Sequence, residues 1–257
     1  MKQILIIPDI NNLDEDIKLA DKYSLGFEYN DFFYPDVLDN KDKLNEIVAK
    51  YKNNKIPGYS TVHGAFFDVI PFSIDSKIRQ VSMLRIEQSI DVAKQLGAKA
   101  VVFHTNYNPF LNSVAYVESW IKENIKIWYD IIKNNPDINI YIENMFDVTP
   151  DIMLKLGEGL SVHNNFGICL DYAHASLGKV APYIWAEKLG KFVKHIHIND
   201  NDLVSDLHLA WGKGKINREL FYESYEKYMS DATVLIETSL MENKLYSIEV
   251  LKNEGFI

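Results

Sequence analysis

Seven short apolar runs in this chain are broken near their C-terminal ends by residues that such runs normally avoid: Glu28, His63, His104, Glu143, Asp171, His197 and Glu237. Side chains alternate along a strand, so a polar residue at the end of an apolar strand can point into the mouth of a barrel. Acids and imidazoles converging on one small mouth repel each other or stay expensively desolvated if unpaired. A divalent cation removes that cost. Two further groups support one. Asp171-Tyr-Ala-His174 adds a histidine just past its run, and Asp206-Leu-His208 follows His197 in a loop close enough to fold over the mouth. Nitrogen and carboxylate ligands together suit Zn, Mn, Co or Fe better than Ca.

A single histidine or glutamate at a strand end is more often a hydrogen-bonded structural group than a ligand. Glu143, Asp171, His197 and Glu237, however, fall on four successive runs at matching positions, and that coincidence makes them the expected metal ligands. His63, His104, His174, Asp206 and His208 stand beside them as further metal or substrate ligands. Glu28 reads as a pocket-wall or hydrogen-bonding residue, His195 as a structural group one layer deeper, and His163 as exposed. The aromatics Phe32, Phe33, Tyr34, Phe66, Phe67 and Trp211 fall in or near the loops above the mouth. Phe66, Trp211 and Lys213 are expected to line the substrate pocket. Lys213, Lys215 and Arg218 are the only basic cluster near the mouth, and either hold a phosphate or form a solvated turn.

The positioning elements follow from an alternation. Apolar, β-rich runs occur at QILIIPD, LGFEYN, YSTVHG, AVVFHT, INIYIEN, GICLDY, KHIHIND and TVLIET, separated by segments with helical spacing such as Met83–Leu96, Tyr116–Ile132 and Leu220–Met229. Eight strands alternating with helices imply a parallel sheet, and eight is the number that closes: a single (β/α)₈ TIM barrel over residues 1–257. Thr149-Pro150-Asp151 reads as an N-cap, a proline at the first helical position and an acid in the first turn. Gly97 fits a helix stop, and Asn217 an N-cap for the helix beginning near Arg218.

Bulk properties narrow the partners. The 257 residues carry a formal net charge of −9, which works against binding a phosphate backbone, since that rests on Lys/Arg contacts. The only cysteine, Cys169, excludes an intrachain disulfide. The N-terminal apolar run stops at Pro8 and Asp9, unlike a signal peptide, and no apolar stretch approaches the ~18 residues that span a bilayer. The expectation is a soluble cytoplasmic protein with a small-molecule partner and neither nucleic acid nor membrane; a homo-oligomer is compatible with all of this.

In the stretches HGAFFDVIPFS, VVFHTNYNP, YIEN, CLDYAHA, HIHINDN, DLHLAWGKGKI and LIET, in this order, the chain resembles the xylose isomerase-like barrel superfamily. That group holds sugar (phosphate) isomerases and epimerases as well as the endonuclease IV family of abasic-site nucleases. The resemblance implies a divalent metal cofactor (Mn, Zn, Co or Mg), as one ion or more. In the isomerase and epimerase branch the metal is held at the positions of Glu143, Asp171, His197 and Glu237. Glu143 and Glu237 would also be the catalytic proton-transfer pair, with His174 hydrogen-bonding a substrate oxygen. The nuclease branch uses three zinc ions and nine ligands, and His63, His104, Glu143, Asp171, His174, His197, Asp206, His208 and Glu237 match all nine. Two departures weigh against the nuclease. Its opening His-Val-Ser and Gly-Gly motifs are missing from IIPDINN, and its DNA-penetrating Tyr is replaced in His63-Gly-Ala-Phe66. Lys213 departs from the isomerase branch, which often has Glu there. The expected function is therefore a metal-dependent sugar isomerase or epimerase, with a trinuclear-zinc phosphodiesterase as the alternative. A barrel that binds a metabolite without turning it over is a third reading.

Overall fold

Each of the eight apolar runs forms a strand in the computed structural model, which describes residues 2–257. They are β1 (Ile4–Ile6), β2 (Gly26–Tyr29), β3 (Ser60–His63), β4 (Ala100–His104), β5 (Asn139–Glu143), β6 (Phe166–Asp171), β7 (Val193–Ile198) and β8 (Thr233–Ile236). All neighbouring pairs are parallel, and β8 pairs with β1 to close the barrel in sequence order. The intervening helices are α1 (Leu13–Tyr23), α2 (Pro35–Leu38), α3 (Lys41–Lys52), α4 (Ser76–Leu96), α5 (Val114–Asn134), α6 (Asp151–Leu160), α7 (Tyr172–Ser176), α8 (Pro182–Leu189), α9 (Arg218–Tyr228) and α10 (Met241–Asn253). The expected (β/α)₈ barrel is the fold observed.

Strand alternation divides the core into two. Ile140, Ile142, Ile168, Leu170, Ile196, Ile198, Val234 and Ile236 face outward into the apolar layer shared with the helices. Their neighbours Ala100, Val102, Tyr141 and Cys169 form a separate buried cluster inside the barrel. The inward parity of Tyr141 and Cys169 continues at Glu143 and Asp171, so the polar strand ends share the interior rather than the sheet–helix layer. Register does the rest. His104 pairs with Glu143, and Asp171 with His197, which puts these side chains at matching heights on adjacent strands.

Local signals set the helix ends. Asn217 accepts from Leu220 N at 3.1 Å, as expected of an N-cap, and Gly97 ends α4 with φ +70°, a conformation that favours glycine. Thr149 departs from expectation. Its hydroxyl donates to the Asp151 carboxylate at 3.0 Å instead of capping backbone amides, and Pro150 occupies the cap position.

Closure is fastened by one buried ion pair. Lys244 Nζ on α10 lies 2.7 Å from Asp16 Oδ1 on α1, with both side chains almost fully buried. The other oxygen, Asp16 Oδ2, accepts from Asp9 N at 2.7 Å, so the same carboxylate also ties down the loop after β1. Removing one partner of such a pair strands a buried charge. Lys244→Met should lower unfolding stability by about 3–5 kcal/mol in urea melts, and Asp16→Asn added to it should recover part of the loss. An unchanged midpoint for Lys244→Met would show that the pair does not fasten the closure.

Candidate metal centre

Glu143, at the end of β5, is the hub of the barrel mouth. Its Oε2 lies 3.2 Å from His104 Nε2 and 3.6 Å from His63 Nε2. Its Oε1 lies 3.4 Å from His197 Nδ1 and 3.6 Å from His174 Nδ1. Glu237 Oε1 approaches the same His197 Nδ1 at 3.5 Å, and Asp171 Oδ2 lies 3.4 Å from His174 Nδ1. Over the rim, Asp206 Oδ2 sits 3.4 Å from His174 Nε2 and 3.1 Å from His208 Nε2. The nine residues singled out from the sequence therefore meet at one rim. Three sets of potential ligand atoms each fall within 4.8 Å of one another: His63, His104 and Glu143; Glu143, Asp171 and His197; and His174, Asp206 and His208.

Most of these contacts are too long or too poorly aligned to be hydrogen bonds. Both Glu143 carboxylate oxygens, Asp171 Oδ2 and His197 Nδ1 are buried with no hydrogen-bond partner. Buried polar atoms are seldom left so, and stranding them costs free energy. Four convergent orphans on two acids and an imidazole fit a divalent cation, which would satisfy them together.

Charge in the cluster is strongly perturbed. Burial works to raise the Glu143 carboxyl, but the imidazoles of His197 and His104 outweigh it and hold it well below the usual carboxylate range. Glu237 is likewise held at about 2, against its burial, by His197 and His208. Asp171 goes the other way, to about 8: burial leads, His174 opposes, and Glu237 and Glu143 reinforce. Against their own burial, His174 is raised well above the ordinary imidazole value by Asp171 and Asp206, and His208 to about 10 by Asp206 and Glu237. The shifts favour protons on His174, His208 and Asp171, which offset the negative charge of the neighbouring carboxylates. Metal binding would displace them.

Four of the five imidazoles are also aimed. The Nδ1 atoms of His63, His174 and His208 lie 3.0, 2.9 and 3.2 Å from the backbone carbonyls of Gly64, Asn144 and Glu237. With Nδ1–H donated there, each Nε2 keeps its lone pair for the centre. His197 is reversed: Nδ1 faces the carboxylates, and Nε2 lies 3.2 Å from Glu28 Oε1. Glu28 is itself braced. Its Oε2 accepts from Thr61 Oγ1 at 2.7 Å and lies 3.2 Å from His195 Nε2, whose Nδ1 is 2.6 Å from Thr233 Oγ1. Glu28 is therefore the hydrogen-bonding residue expected, and its position backs the one histidine that turns Nδ1 inward.

Further braces were not singled out from the sequence. Asn144 exchanges two 2.9 Å hydrogen bonds with the Asp171 backbone, and Asn199 Nδ2 donates to Glu237 Oε2 at 3.1 Å. Asp171 Oδ1 caps α7 by accepting from His174 N at 2.7 Å, which leaves only Oδ2 free. Asp200 accepts from the amides of Gly212 and Ile216, both at 3.0 Å, and pairs through its backbone with Leu209. Those contacts fold the Asp206–His208 loop onto the mouth. The asparagines following YIE and HIHI were the available signal.

Two pocket expectations, those for Trp211 and Lys213, are corrected. Trp211 is fully buried, packed edge-on against Phe221 with its indole N–H donated to the Tyr222 hydroxyl, so it offers no surface to a ligand. Lys213 is exposed, with Nζ 4.1 Å from the centre of the Tyr246 ring on α10, and Arg218 is paired with Glu254. Phe32 is a core residue against Tyr51. His163 is half-buried beside Tyr129 rather than exposed. Phe66 stands at the mouth, its ring 4.6 Å from His104 and 5.1 Å from His63. Cys169 and His195 lie beneath the rim with His197, and burial pushes the Cys169 thiol well up, which disfavours the thiolate needed for ligation.

Comparison with known proteins finds similar sequences and a similar solved structure. An uncharacterised protein of Methanocaldococcus jannaschii is 29% identical over 201 residues, spanning 74% of this chain and 68% of that one. Fructoselysine 3-epimerase of Shigella flexneri is 26% identical over 249 residues, 86% of this chain and 82% of its own. The structure of the TTHB071 protein from Thermus thermophilus, soaked with zinc chloride, superposes with a TM-score of 0.77 at 21% identity, covering 100% of this chain and 98% of that one. Residues 19–252, nearly the whole barrel, match one family, and the chain belongs to it: the xylose isomerase-like TIM barrels.

Proposed function

We propose that the protein is a divalent-metal-dependent sugar epimerase or isomerase, working by proton transfer at carbon next to a carbonyl. The observation that carries this reading is the set of orphaned, convergent ligand atoms on Glu143, Asp171 and His197, with Glu237 across from Glu143. A sugar epimerase among the relatives supports the same reaction class.

Glu143, Asp171, His197 and Glu237 would hold the metal, which supplies positive charge where a carbonyl oxygen gains electron density. Glu143 and Glu237 approach His197 Nδ1 together and are both kept ionised. One removes a proton from the α-carbon, leaving an enediolate; the other returns a proton to the opposite face or the adjacent carbon. His174, anchored through Nδ1 on the Asn144 carbonyl, presents Nε2 as a polar contact for a substrate oxygen. Asp171 and His197 stay in place as anchors.

A second reading has its own observation. The three ligand sets at one rim have the donors for a trinuclear phosphodiesterase site. It requires about three ions per chain and cleavage of abasic DNA. Metal counting separates the two: one tightly held ion and no nicking removes the nuclease.

Glu143→Gln and Glu237→Gln should each lower proton exchange in deuterated water by about 10²–10⁴-fold, with metal content measured on the same samples. Near-normal exchange in both variants would refute the assignment. Chelation should abolish exchange, and added Mn, Co or Zn should restore it. At a hundredfold excess over Kd the metal should also stabilise the fold by about 2.7 kcal/mol; a metal-independent melting curve would count against the centre.

A further inference from the structure

Three rim histidines have one ring proton assigned by the main chain. The Nδ1 atoms of His63, His174 and His208 lie against the carbonyls of Gly64, Asn144 and Glu237, which no change at those histidines' side-chain neighbours would remove. His197 is set differently, because its ion-pair contacts are all side chains. Glu143 Oε1 and Glu237 Oε1 lie 3.4 and 3.5 Å from Nδ1, and Glu28 Oε1 lies 3.2 Å from Nε2.

A ligating imidazole must bare one nitrogen and keep a proton on the other. At His197 the nitrogen facing the proposed ligands is Nδ1, so Nε2 has to keep the proton. The carboxylates on the Nδ1 side outnumber the one on the Nε2 side, and by number alone they would draw a proton onto Nδ1 and block it. Glu28 opposes this in two ways. With Nε2–H in place, its Oε1 is the acceptor; Oε1 and Nε2 are both buried and neither has another hydrogen-bond partner. With the proton on Nδ1 instead, a bare Nε2 would face a carboxylate oxygen at 3.2 Å, two acceptors opposed inside a buried cluster.

Glu28 is also kept from turning away. Its Oε2 accepts from Thr61 Oγ1 at 2.7 Å and lies 3.2 Å from His195 Nε2. His195 is steadied in turn by Thr233 Oγ1, 2.6 Å from Nδ1; the other acceptor within reach of that hydroxyl, the Lys194 carbonyl, is 3.4 Å away. Glu28, Thr61, His195 and His197 are all fully buried, on β2, β3 and β7, so three strands of the barrel hold this one contact.

Building on the metal-centre reading, we infer that Glu28 is a positioning residue for the metal. Held by Thr61 and His195, it keeps the His197 proton on Nε2 and so leaves Nδ1 bare for ligation. The side chain never touches the ion or the substrate.

Two measurements on the full chain test this. Nitrogen-15 spectra of protein loaded with cadmium-113 identify the bound ring nitrogen by its coupling to the metal, and competition with a chromophoric chelator gives the zinc affinity. The wild type should show coupling at His197 Nδ1 and a proton on Nε2. Glu28→Leu, which has no acceptor, should lose that coupling pattern and bind zinc about 10–100-fold more weakly. Glu28→Gln offers an amide oxygen to Nε2–H in the same shape, and should keep Nδ1 ligation and recover most of the affinity. Coupling at Nε2 in the wild type, unchanged zinc affinity in Glu28→Leu, or a Glu28→Gln protein as weak as Glu28→Leu would each overturn the inference. All three leave the metal centre standing when the wild type binds zinc tightly. A folded wild type that binds neither ion would instead sink the centre itself, and the inference with it.

Discussion

Four carboxylates and five imidazoles, seven of the nine buried, cannot be crowded into one barrel mouth without positive charge among them, and much of the structure exists to hold them there. Closure of eight parallel strands provides the convergence. Alternation provides the direction, because positions one residue away on the same strands face the sheet–helix layer and are apolar. The cluster is costly in isolation. The upward shifts of His174, His197 and the Asp171 carboxyl point to the same demand for protons or cations that the orphaned Glu143 oxygens show geometrically.

Rigidity comes from the backbone as much as from side chains. Three histidines spend Nδ1 on main-chain carbonyls, and Asp171 spends one oxygen on the first turn of α7. These bonds leave a single ligand-competent atom on each group, aimed at the centre. Glu28 performs the equivalent task from beneath, where Thr61 and His195 hold it against the reversed His197. A site fixed in this way changes little when a ligand arrives, so binding need not meet the cost of ordering its own partners.

The barrel and six of the nine rim residues were legible in the sequence because both follow strand periodicity: an acid or imidazole ending an apolar run stands out against a period of two. His174, Asp206 and His208 lie past the strand ends and were picked out by their nearness to those runs and by the family resemblance. Glu28 carried the same signal, and only its partners on β3 and β7 distinguish a brace from a ligand. What was not legible depends on loop paths. Trp211 and Lys213 follow His208 closely in sequence, yet Asp200 clamps that turn so that Trp211 enters the core and Lys213 reaches back to Tyr246.

The same nine donors would serve sugar enolisation and phosphodiester cleavage equally, so the rim alone does not choose between them. Its surroundings differ for the two. A nucleic-acid backbone needs cations arrayed around the metal, whereas Lys213 and Arg218 are engaged away from the mouth and a cavity beside it is walled by phenylalanines. The sugar of the proposed reaction asks for no such array of cations. It needs only a polarising centre, two acids kept ionised on either side of one imidazole, and an apolar wall to exclude water. On a fold that keeps its chemistry at the strand ends and its selectivity in the loops, those walls rather than the ligands separate one enzyme from another.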